Sequence, residues 1–83
     1  MKRKLDRTKL AEHEQLQGFI DAFGSRQLAS YFEYLEGLRV SGATNMFGAS
    51  PYLERSFNLD RNKALEILGA WMAAYGDVFE EAA

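Results

Sequence analysis

The sequence predicts an all-α fold: a compact bundle of four to five short helices in a single domain, containing a helix-turn-helix-like corner and no β-wing. Three observations carry this expectation. Apolar residues recur at three- and four-residue spacing through most of the 83 residues, the period of a one-sided helix. Glycines and capping residues interrupt that pattern where helices stop and start. No stretch alternates with period two, and no hairpin dipeptide occurs. The composition, 47% hydrophobic and 13% aromatic, supports a packed core over a disordered chain. A chain this short needs one, because it buries only about 60–65% of its unfolded surface.

Residues 1–9 are polar and read as a frayed, flexible basic arm. Leu10, His13, Leu16, Phe19, Ile20 and Phe23 then form one apolar stripe of a helix, which Gly24 ends. Ser25 is placed to cap a second helix that carries Leu28, Tyr31, Phe32, Leu35 and Leu38 inward, with Arg26, Glu33, Glu36 and Arg39 spread over the other faces. Ser41–Gly42 stops it. Thr44 opens a single turn bearing Met46 and Phe47. Ser50 followed by Pro51 is a start signal, a capping hydroxyl and then a proline where the missing N–H costs nothing. The helix Pro51–Phe57 is short. Asn58 suits a left-handed corner residue, and Asp60 caps the next helix, with Leu59 and Ala64 at hydrophobic-staple positions. That last long helix, Arg61–Tyr75, is expected to bury Ala64, Leu65, Ile67, Leu68, Trp71, Met72 and Tyr75, and to stop at Gly76. Asp77–Ala83 reads as a final short turn, with Val78 and Phe79 folding back.

The net charge of −2 conceals an asymmetry. Residues 1–9 hold five bases and one acid, or +4, and the remainder five bases and eleven acids, or −6. The chain has no cysteine, so disulfides, thiolate metal sites and cysteine nucleophiles are excluded. This suits a reducing cytoplasm. No apolar run approaches the roughly 20 residues of a membrane span, and polar residues follow the basic start, unlike a secretory signal. His13, the single histidine, lies on the apolar stripe and reads as a neutral residue at the core edge. Glu12, Glu14 and Asp21 are not arranged with it as a metal-ligand set. No metal, cofactor or catalytic group is therefore expected.

Two stretches carry functional readings. In the corner, Arg61, Asn62 and Lys63 open the second helix and are the side-chain types that contact phosphates and base edges. Lys2, Arg3 and Lys4 could add backbone contacts, though such an arm reads first as a solvated tail. Against a polyanion stand Asp60 and Glu66, and beyond Glu66 the outer face offers only Gly69, Ala70 and Ala73. The second stretch is Asn45-Met46-Phe47, apolar and flanked by Gly42 and Gly48. It reads first as a plug for one end of the core, with Met and Phe as an adaptable partner contact beside that.

Pro51–Met72, with Leu53, Phe57, Leu59, Asn62, Lys63 and Ala64 in order and spacing, resembles the helix-turn-helix of the DNA-reading γ domain of bacterial chromosome-segregation translocases. That resemblance implies DNA binding. SGATNMFGASPYL (Ser41–Leu53), followed by the helix ending in Trp71-Met72, is similar to small uncharacterised proteins of bacteriophages and marine bacteria. It implies a phage-related setting, hence a bacterial host's cytoplasm, and no activity. The expectation is a small non-enzymatic binding or adaptor protein, plausible as a phage product, that docks a helical face onto a protein partner and does not bind membranes. The alternatives are a helix-turn-helix DNA-binding regulator and a self-associating accessory protein that pairs through the apolar edge of Leu10–Phe23.

Overall fold

The corner is formed as the sequence predicts. Asn58 takes the left-handed conformation (φ 54°, ψ 49°) and closes α4 (Ser50–Phe57), while Asp60 starts α5 (Arg61–Val78) by accepting the Lys63 amide at 2.8 Å. The computed structural model describes residues 2–81. Met1, at the tip of the expected arm, and Ala82–Ala83, in the expected last turn, lie outside the described residues.

The remaining elements are β1 (Lys4–Leu5), α1 (Arg7–Glu12), a 3-10 turn at Glu14–Leu16, α2 (Gln17–Phe23), α3 (Ser25–Ser41), a 3-10 turn at Met46–Gly48, and β2 (Phe79–Glu80). The fold is a small all-α bundle, with no β-wing among the described residues. The core is one cluster. Leu10, Leu28, Phe32, Leu35, Leu53, Ile67 and Val78 are fully enclosed, with Trp71 and Phe79 nearly so. Burying such side chains contributes about 1.5–3 kcal/mol each, which is how so short a chain offsets its ordering entropy.

Several local expectations are corrected. The stripe Leu10–Phe23 is not one helix. His13 is extended (φ −68°, ψ 120°) and separates α1 from the turn leading into α2. The kink lets both Leu10 and Leu16 reach the core. The side-chain amide of Gln17 donates to the carbonyls of Ala11 and His13, at 2.9 and 3.0 Å, where the helical ladder is broken. Gly24 (φ 86°) serves as the cap between α2 and α3, and Ser25 is already helical. Asn45, not Thr44, caps the turn Met46–Gly48, and Ser50 is a buried helical residue with no capping bond. α5 runs through Gly76 to Val78 because burial of Val78 and Phe79 and pairing of β2 continue the packing past the glycine. Leu65 and Met72 face outward, 43% and 36% exposed.

Residues 2–9 do not hang free as an arm. Lys4 and Leu5 pair antiparallel with Glu80 and Phe79, and the Asp6 amide donates to the Val78 carbonyl at 2.8 Å. Asp6 also caps α1 by accepting from the amides of Thr8 and Lys9. The physical cause is Leu5. It is 6% exposed, and a strand places it on the core while leaving Lys4 outside. Two-residue strands are too short for a period-two signal.

Candidate functional site

The predicted nucleic-acid residues are not brought together. Arg61, Asn62 and Lys63 are exposed in the first turn of α5. β1, which carries Lys4, lies against β2 immediately beyond the other end of α5. Seventeen residues of mostly helical rise, about 25 Å, separate Asn62 from Phe79, in a molecule whose longest extent is 31 Å. The start of α5 is also occupied. The Asp60 carboxylate takes the Lys63 amide, and the Lys63 ammonium lies 5.9 Å from the centroid of the Phe23 ring.

The basic segment is largely paired within the fold. Arg7 meets Glu33 at 2.9 Å, Lys9 meets Glu80 at 3.0 Å, and the Arg3 guanidinium lies 3.8 Å from Glu81. Such exposed pairs add little stability, but they lower the charge available to a polyanion. Lys2, Arg3 and Lys4 line a cavity of about 610 Å³ with Leu5, Glu33, Glu36 and Phe79.

Glu36 is the residue that sequence reasoning misplaced. Its polarity predicts an outer face, yet it is 1% exposed. Its carboxylate accepts the Arg3 amide, the Tyr75 hydroxyl at 2.9 Å, and both Nε and Nη2 of Arg39 at 2.8 and 2.9 Å. Burial alone would raise its pKa. The Arg39 guanidinium, the Arg3 amide and the Tyr75 hydroxyl outweigh that and hold it below the ordinary 4.5. Burial, then Glu36, pushes the Tyr75 hydroxyl up from 10.0. The cations of Arg3 and Arg39 sit 5.5 and 5.6 Å from the Tyr75 ring centroid, and Phe79 stacks on that ring at 4.7 Å. Spacing offered a clue: Glu36 lies four residues after buried Phe32 and beside buried Leu35, inside the inward arc of α3.

His13 sits at the core edge as expected, its side chain 14% exposed, with Nε2 2.9 Å from an Asp77 oxygen. Its Nδ1 and the Nε1 of Trp71 are buried without a hydrogen-bond partner. Among the described residues no group of three or more His, Cys, Asp or Glu could hold a metal ion, and no helix is long and apolar enough to cross a membrane.

The turn Asn45–Gly48 splits the plug reading in two. Met46 packs against the core, whereas Phe47 is 85% exposed. The turn is fixed locally: the Asn45 side chain accepts the Gly48 amide at 3.0 Å, and a Cβ on Gly48 would lie 2.7 Å from the Thr44 hydroxyl. The surrounding chain, Val40 through Leu53, contains no charged residue in a sequence that is 27% charged. That run is readable in the sequence, and it exposes Val40 at 44% as well.

No family model, curated protein or solved structure matches the chain.

Proposed function

We propose that this chain is a small non-enzymatic binding protein that docks a protein partner through the rigid turn presenting Phe47. The single observation that carries the reading is a phenyl ring 85% exposed on a turn closed by the Asn45 cap. A Phe this exposed forgoes most of a burial worth about 1.5–3 kcal/mol. Aromatic anchors held in advance by their backbone lose little entropy on binding and often dominate interface energetics. On the outward face of α5, exposed Leu65 and Met72 lie beside Gly69, Ala73 and the charged Glu66, and this apolar content supports docking by a helical face.

The DNA-regulator alternative has less support. Its two basic sets lie at opposite ends of α5, and three bases of the N-terminal segment pair with acids of the same chain. The phage-related, cytoplasmic setting remains part of the proposal on the strength of the sequence resemblance alone.

Site-specific photocrosslinking in the producing cell tests the docking reading. A benzoylphenylalanine at position 47 should trap one discrete protein adduct, and the same probe at position 33, exposed on α3, should trap none. Equal, diffuse labelling from both positions would overturn it.

A further inference from the structure

A groove of about 270 Å³ lies between α2 and α5, lined by Gly18, Phe19, Ala22 and Phe23 with Gln15, Lys63 and Glu66. Its walls are mostly apolar or small. Benzene fits a closed apolar cavity of about 150 Å³, so this groove has room for a phenyl ring. Its one cation already approaches an aromatic ring, Lys63 to Phe23 at 5.9 Å, and a second ring there would gain the same attraction.

Phe47 cannot fill the groove of its own chain. Phe23 and Phe47 flank opposite ends of α3, whose 17 residues span about 25 Å. Knob and groove therefore lie far apart on one surface, the arrangement that gives a heterologous, head-to-tail contact between copies. We infer that Phe47 of one molecule inserts into the α2–α5 groove of a second copy. The inference rests on the reading of Phe47 as a docking anchor and names the partner.

Charge and area set the character of this contact. Val40–Leu53 brings no charge toward Lys63 or Glu66, so nothing is repelled and the contact depends little on salt. Phe47 exposes on the order of 150–200 Å². With its neighbours it buries a few hundred Å² per partner, about half of the roughly 800 Å² that a stable interface uses. The association is accordingly weak and concentration-dependent.

Sedimentation equilibrium from about 10 μM to about 1 mM, the range that brackets weak association, tests the inference on wild type, Phe47→Ser, Ala22→Arg and an equimolar mixture of the two variants. Gly18→Arg, at a position where an added Cβ meets open space, is a second block of the groove. Circular dichroism melts verify that each variant folds. Wild type should gain mass with concentration, each variant alone should stay monomeric, and the mixture should form a dimer and nothing larger, because one variant keeps only the knob and the other only the groove. Wild type remaining monomeric at about 1 mM would overturn the inference, and the crosslinking at position 47 then decides the docking reading separately. Self-association lost in Phe47→Ser but kept in both groove variants would overturn the groove while leaving Phe47 as the anchor.

Discussion

The backbone amide of Arg3 donates to the carboxylate of Glu36, 33 residues later in the chain. This bond ties the N-terminal strand to the middle of α3. The same carboxylate holds Arg39 on its own helix and Tyr75 on α5, so one buried acid links β1, α3 and α5. Replacing it should loosen all three attachments. Glu36→Gln keeps the shape but loses the charge-assisted bonds, and should cost roughly 2 kcal/mol in urea unfolding. A loss under about 0.5 kcal/mol, the scale of an ordinary surface substitution, would show that Glu36 does not hold the elements together.

The same residue sets a pH dependence. Glu36 is held below its ordinary 4.5 in the folded state, so its contribution is present above that value and is lost as pH falls through the folded one. Asp6, lowered first by the Lys9 amide, acts in the same direction. Wild type should lose stability as pH drops below 4.5, with a shallower slope in Glu36→Gln. Thermal melts from about pH 7 to about pH 3 span the window. Parallel curves for the two proteins would refute the assignment.

The Phe47 turn should separate stability from association. Phe47 touches little of its own fold, so Phe47→Ser should change stability by no more than about 0.5 kcal/mol while removing the docking anchor. Asn45→Ala removes a cap, which costs up to about 1 kcal/mol, and should weaken association as well by freeing the turn. Unfolding and sedimentation on the same samples distinguish the two effects. A large stability loss in Phe47→Ser would mean that the ring is part of the core.

Asn58 tests the corner. Its left-handed conformation costs most residues about 1–2 kcal/mol and glycine nothing comparable. Asn58→Ala should destabilise by about 1 kcal/mol, and Asn58→Gly should be close to neutral. Equal effects of the two would mean that the left-handed geometry does not limit the corner.

Duplex DNA should show no appreciable affinity at about 50 mM salt, and none that falls steeply by about 200 mM. Salt-sensitive binding that is lost in the Arg61→Ala, Lys63→Ala double variant would restore the DNA-reading alternative.

The sequence by itself determined the helical class, the corner at Asn58–Asp60, the stop at Gly42 and most of the core, because each depends on spacing and backbone preference within a few residues. The exposed anchor was half legible: Asn45–Phe47 stood out as an apolar turn, but spacing does not show which of two adjacent apolar side chains turns inward. Tertiary structure alone decided the rest. It kinked the first stripe at His13 so that Leu10 and Leu16 both reach the core, carried α5 through Gly76 to bury Val78, and drew Lys4–Leu5 onto Phe79–Glu80. It also turned Glu36 inward, since a carboxylate is tolerated there only when Arg39, Tyr75 and the Arg3 amide arrive together from three parts of the chain. These outcomes depend on contacts between residues distant in sequence, where packing and desolvation outweigh local preference.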